Sequence, residues 1–108
     1  MIANKVNKFR SHNIDELNTD SVSEIVRLSG WVHKQRDLGG IIFFDLRDRS
    51  GIIQVVIDDT VSNLLQKQGA ELKAEWVVKV EGIVRLRTEE GRNKNLKNGD
   101  IEILVSDI

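Results

Sequence analysis

The residues that could make or break bonds are few. The chain has no cysteine and two histidines, His12 and His33. That excludes disulfides, thiolate sites and cysteine nucleophiles, and two histidines do not make a His-rich metal centre. Asp37, Asp45 and Asp48 lie close enough to suggest paired-carboxylate catalysis. Loop aspartate is common turn chemistry, however, and no His or Lys is poised beside them. Gly39-Gly40 and Gly51 are not followed by Gly-Lys-Ser/Thr, so there is no P-loop. What remains is chemistry of contact. Phe43 alternates with Asp45 and Arg47 on a polar face, where an aromatic either packs at the solvent side or stacks on a base. Gln54 stands in an otherwise apolar run, Ile52–Ile57. Its amide is either inert or reads a base edge as both donor and acceptor. Glu102 either solubilises a strand or accepts hydrogen bonds from a base donor, since a carboxylate repels phosphate. Lys34, Arg36, Arg47, Arg49, Arg85 and Arg87 fall on the same strands or their ends. Such a set is either a solvated surface or a basic groove beside an aromatic, as single-stranded nucleic acid requires.

These side chains need strands to hold them, and the sequence supplies alternation. At 108 residues the chain is one domain, and its net charge of −1 means that any basic surface comes from clustering. No apolar run approaches the roughly 18–20 residues of a membrane span, and the start, Met1 to His12, has no signal-like apolar stretch. A cytoplasmic domain without a membrane partner is expected. Residues 1–24 read as an N-terminal extension with a short helical stretch near Ile14–Leu17, capped by Asn13 with Glu16 as its partner. From residue 25 the period becomes two. Strands are predicted at Ile25–Gln35, with a bend at Gly30, then at Ile41–Arg47 and at Ile52–Ile57. Asp58-Asp59-Thr60 would cap a helix carrying Val61, Leu64, Leu65 and Leu72. A fourth strand is predicted at Trp76–Arg87, with Trp76, Val78, Val80, Val84 and Leu86 inward and Lys79, Glu81, Arg85 and Arg87 outward. A polar loop, Thr88–Gly99, leads to a fifth strand at Ile101–Val105. Three strands, a helix and two strands predict an all-β domain over 25–108, a five-stranded OB-fold Greek-key barrel with its helix between strands three and four. Gly30 and Gly82 would ease the bends of closure, and a plain antiparallel sheet with one helix is the alternative.

The stretch from Arg27 through Gly30-Trp31-Val32, Arg36-Asp37-Leu38-Gly39-Gly40 and Asp45-Leu46-Arg47-Asp48 to Gln54-Val55-Val56 resembles the N-terminal anticodon-binding domain of bacterial-type aspartyl-tRNA synthetase, a class II enzyme. Arg10-Ser11-His12, Gly82–Arg87 and Asn93–Glu102 resemble it too, so the likeness covers nearly the whole chain. It implies an OB-fold that binds the G-U-C anticodon of aspartate tRNA. By that resemblance Phe43 stacks on the middle base, uracil, and Gln54 hydrogen-bonds its edge. Glu102 reads the first base, guanine. Arg36, and Arg87 with Asn93, contact the third base, cytosine, and nearby phosphates, while Lys34 and Arg85 contact the tRNA backbone. Two positions depart from the family pattern. Asn93-Lys94-Asn95 stands where members often have Asn-Pro-Asn, so the loop lacks proline's fixed φ. Leu38 stands where some members carry His, which leans toward aspartate tRNA alone. The class II catalytic motifs are absent from these residues. The expectation is therefore one non-catalytic domain of a larger, homodimeric aspartate–tRNA ligase whose catalytic domain holds ATP and magnesium. Without base preference the same surface would make a general single-strand binder. Without nucleic acid it would be a protein-interaction domain.

Overall fold

In a computed structural model, which describes residues 11–88 and 99–108, five strands close into one barrel in the order β1-β2-β3-β5-β4. They are β1 (Ile25–Leu38), β2 (Ile41–Arg47), β3 (Ile52–Ile57), β4 (Val77–Leu86) and β5 (Ile101–Asp107), with the helix α1 (Asn63–Glu71) between β3 and β4. The fold is the predicted OB-fold barrel. Alternation sets it: Ile42, Phe44 and Leu46 of β2 and Ile53, Val55 and Ile57 of β3 are buried in the same core as Val26, Leu28, Val80, Val84, Ile101 and Ile103. Every pairing is antiparallel except the last, where β3 and β5 run parallel.

β1 is longer than its alternation suggested. It pairs with β4 over Ile25–Trp31 and with β2 over Trp31–Leu38, so one strand serves both sides of the barrel. The change of partner falls at Gly30-Trp31, and the pairing with β2 is then irregular between Val32 and Gln35. Gly30 lies against the Arg47 carbonyl oxygen and Gly82 against the Leu104 carbonyl oxygen, so closely that a Cβ at either would collide with backbone. These glycines serve closure by allowing strands to touch rather than by conformational freedom alone.

The helix and the fourth strand correct several sequence expectations. The helix is capped by Ser62, whose Oγ accepts from the Leu65 N–H at 3.2 Å, not by Asp58-Asp59-Thr60. Asp58 instead closes its own turn, its Oδ1 accepting from the Thr60 N–H at 3.0 Å. Val61 and Leu72 flank the helix, and of its leucines Leu65 is buried while Leu64 is 66% exposed. β4 starts at Val77, because the preceding turn, with Glu75 at φ 72°, delivers Trp76 to the surface. Leu86 is half exposed and Arg87 is buried, the reverse of their predicted facing.

The stretch before β1 forms two 3-10 turns, Ile14–Glu16 and Thr19–Ser21. Glu16 accepts from the Asn13 N–H at 2.9 Å, as the capping pattern predicted. Ile14 and Leu17 are fully buried in the barrel core. Asp48 ties this segment to the β2–β3 turn, taking the Ile14 N–H at 3.0 Å on one oxygen and those of Ser50 and Gly51 on the other. Among the described residues no helix is long and apolar enough to cross a membrane.

The close approach at Gly82 generates a test. Gly82→Ala pushes a methyl group into the Leu104 backbone and is expected to lower unfolding stability by about 1–3 kcal/mol. Urea denaturation would show it as a lower midpoint with an unchanged slope.

Candidate nucleic-acid interface

The outward faces of β2, β3, β4 and β5 meet along one line of the barrel. Asp45 is paired with Gln54 across β2–β3, Gln54 with Glu102 across β3–β5, and Arg85 with Glu102 across β4–β5. One step along, Phe43 faces Arg36 of β1. Registers alone thus gather residues from five strands far apart in sequence. They line a groove of about 600 Å³ that holds Lys34, Arg36, Phe43, Gln54, Arg85, Arg87 and Glu102. Of the residues that the resemblance assigns to tRNA binding, only Asn93 is not among them, and it lies outside the described residues. Arg47 and Arg49 are not part of the groove lining.

Glu102 organises the floor. It is 8% exposed, and both carboxylate oxygens accept hydrogen bonds. Oε1 takes the Gln54 Nε2–H at 2.8 Å, and Oε2 takes the Arg85 Nε–H at 2.7 Å. A buried carboxylate needs such partners. The arrangement also orients Gln54, because a carboxylate only accepts and the amide must turn its NH2 toward it. The Gln54 carbonyl oxygen and one remaining N–H are left to face a ligand. Arg85 also lies 3.9 Å from Asp58 Oδ2.

Arg87 is 7% exposed, and its Nε donates to the Ile101 carbonyl at 3.1 Å. Burial pulls its pKa below the usual arginine value. Glu102 and Asp45 pull it back up, while Arg36 adds to the lowering. The guanidinium remains charged. Around this floor Lys34 and Arg36 are exposed, Leu38 is 60% exposed, and Phe43 is half-buried with its neighbours on β2. The groove therefore pairs an aromatic with amide and carboxylate groups and puts positive charge at its rim. It can stack a flat ring, hydrogen-bond its edge and hold an anionic backbone.

Three residues that line the groove do not stand out in the sequence as binding residues. Asp45 lines it beside Gln54, and its place two residues after Phe43 on one strand face was the available signal. Leu38, which the resemblance links to tRNA specificity and not to a contact, and Thr88 line the groove too. Asp58 is not part of the lining but lies 3.9 Å from Arg85, a neighbourhood that the sequence does not signal because it depends on how β3 and β4 are brought together. The paired-carboxylate alternative does not fit the geometry: Asp37 closes the β1–β2 turn by accepting from the Gly40 N–H at 3.1 Å, and Asp48 is held in its own turn. Among the described residues no group of three or more His, Asp or Glu could hold a metal. A second cavity, of about 530 Å³, lies between α1 and strands β4 and β5, lined by Leu64, Ile83 and Leu104. It has neither an aromatic nor a basic side chain, so the stacking and phosphate chemistry belongs to the first groove.

Comparison with known proteins gives a consistent picture. A family model described as an OB-fold nucleic acid binding domain of the tRNA anticodon type matches residues 26–108. The chain is 43% identical over 103 residues to an aspartate–tRNA(Asp/Asn) ligase of Xanthobacter autotrophicus, covering 95% of the chain and 16% of the relative. It is 46% identical over 101 residues to one of Chlamydia trachomatis, covering 94% of the chain and 17% of the relative. The chain thus spans about a sixth of the length of these curated relatives. Among solved structures, an asparaginyl-tRNA synthetase from Pyrococcus horikoshii superposes with a TM-score of 0.73 at 29% identity, over 88% of this chain and 20% of that one.

Removing the organising carboxylate tests this description of the floor. Glu102→Ala strips Arg85 and Gln54 of their acceptor and Arg87 of its strongest counter-charge. A stability loss of about 1–3 kcal/mol at neutral pH is expected. A urea midpoint equal to that of the unmutated chain would show that Glu102 does not organise the floor.

Proposed function

Because the chain belongs to the tRNA anticodon family of OB-fold nucleic acid binding domains, we propose that it reads the G-U-C anticodon of aspartate tRNA as one part of an aspartate–tRNA ligase. The observation that supports this reading is the groove itself, where Phe43 stands beside an amide and a carboxylate whose orientations are already fixed. Phe43 stacks on the middle base and Gln54 meets its edge. Glu102 has one lone pair on each oxygen beyond its bonds to Gln54 and Arg85, and accepts from the N–H groups of the guanine. Arg36 and Arg87 face the third base with Asn93, and Lys34 holds the phosphate backbone. The domain makes no bond. ATP and magnesium belong to the proposed ligase's catalytic domain, and the parent enzyme acts as a homodimer in the cytoplasm.

The test is binding of the purified chain to anticodon stem-loops at two salt concentrations. Hairpins with G-U-C, with the middle base changed to C, and with the third changed to U give the two comparisons. Preference for the middle uracil, with affinity falling as salt rises, is expected. Equal binding of the first two hairpins would make this a general single-strand binder, and no binding at low salt would leave a protein-interaction domain. The third hairpin carries the asparagine anticodon. The relatives are named for both tRNAs, whereas Leu38 leans toward aspartate alone, so a clear preference for C over U at the third base would establish the narrower specificity.

The aromatic is separable from the readout. Phe43→Ala is expected to weaken binding of the G-U-C hairpin by about 1–3 kcal/mol. Fluorescence anisotropy would measure it, and affinity equal to the unmutated chain would remove Phe43 from the mechanism.

A further inference from the structure

Arg85 has the charge of a phosphate contact but not the surroundings of one. Its Nε donates to Glu102 Oε2 at 2.7 Å, and its NH1 lies 3.9 Å from Asp58 Oδ2. The two carboxylates come from different places, β5 and the turn after β3. Both are better shielded than Arg85, with side chains 10% and 15% exposed against its 39%. Asp58 is itself held, since its other oxygen is occupied by the turn to Thr60. The guanidinium therefore lies between two anchored carboxylates, hydrogen-bonded to Glu102 and within ion-pair distance of Asp58.

The consequence passes down the chain of bonds. Arg85 fixes one oxygen of Glu102, which presents the other to Gln54 at 2.8 Å. Gln54 is thereby held with its carbonyl oxygen available to a ligand. An acceptor in that place suits a base with a ring N–H, such as uracil. It opposes cytosine, whose corresponding ring nitrogen is itself an acceptor. If Glu102 were free to swing, the Gln54 amide could flip and offer its NH2 instead, and the distinction would fade.

We propose that Arg85, anchored by Asp58, is a positioning residue that sets the uracil-over-cytosine preference through Glu102 and Gln54, rather than a contact to the nucleic-acid backbone. This rests on the anticodon reading above, with Gln54 at the middle base. Two roles for Arg85 make opposite predictions. A phosphate contact contributes equally whatever the base, and its loss makes the salt dependence shallower by about one unit of log–log slope. A positioning residue changes the ratio between bases.

The experiment measures affinities for the G-U-C and G-C-C hairpins with the unmutated chain, Arg85→Met and Asp58→Asn, over a series of salt concentrations. Arg85→Met keeps side-chain length and removes the donors. It is expected to reduce the uracil-over-cytosine ratio by about 5- to 30-fold, the scale of one lost edge contact. Asp58→Asn keeps an acceptor for the Thr60 turn while removing the charge, and should lower the same ratio by less. If Arg85→Met weakens both hairpins equally, with its ratio intact, the proposal is overturned, whether the cause is a lost phosphate contact or general loosening. Should Arg85→Met fail to fold, the Asp58→Asn ratio decides alone, a fall supporting the proposal and no fall overturning it. An unmutated chain that binds both hairpins alike overturns the anticodon reading itself, and with it this one, before any variant is compared.

Discussion

The parallel pairing of β3 with β5 is the constraint on which the rest depends. Every other pairing in the barrel is antiparallel. This one closes the sheet, and it brings Gln54 against Glu102 across 48 positions of sequence. Closing a loop of that length carries an entropic cost that only the finished barrel offsets. The floor of the groove is therefore a product of closure. Nothing in β3 or β5 alone would hold an amide against a carboxylate, and a sheet left open at that edge would leave both side chains in water.

Closure also explains how a chain with a net charge of −1 can present a cationic surface. Sixteen basic and seventeen acidic residues nearly cancel in sum, but barrel registers sort them. Lys34, Arg36, Arg85 and Arg87 converge on one groove, while Asp37 and Asp48 are spent in turns. Within the groove the remaining carboxylates are matched to guanidinium groups. Arg87, buried and depressed in pKa by burial, is tolerable because Glu102 and Asp45 offset that burial. The acidic residues of the floor thus organise the basic ones beside them.

Much of this was legible in the sequence, for a definite reason. β2 and β3 coincide with their predicted bounds because alternate residues of each enter the core while Phe43, Asp45 and Gln54 turn to the groove, and period two records that division. Phe43, Gln54 and Glu102 were identifiable as residues out of character for the face or run that holds them. The illegible parts all depend on contacts between distant segments. Arg87 reads as an outward residue by parity, but it follows the last residue of β4. Its burial is decided by hydrogen bonds to Asp100 and Ile101, which are more than ten positions away in sequence. Asp58 reads as a helix cap because Asp, Asp and Thr in succession are good caps, and Ser62 wins because it stands next to the first helical turn. Gly30 and Gly82 read as bends, whereas their necessity comes from carbonyl groups of Arg47 and Leu104 that no local window contains.

If the groove reads an anticodon as proposed, the same hydrogen-bond lattice makes it discriminate more than it grips. Glu102 and Gln54 satisfy one another before any base arrives, so binding needs little reordering of the floor and loses little rotamer entropy there. On the proposed reading, affinity comes chiefly from stacking on Phe43 and from the basic rim, neither of which distinguishes one pyrimidine from another. Selectivity has to come from mismatch. A base whose edge does not complement the fixed carbonyl of Gln54 leaves buried acceptors facing each other, and an unsatisfied polar group in a closed site is penalised more heavily than a good hydrogen bond is rewarded. A rigid floor enforces that penalty, because it cannot turn to accommodate the wrong edge. In this barrel, the rigidity of Gln54 would originate two residues away from the base it is proposed to meet, in the pairing of a guanidinium with two carboxylates.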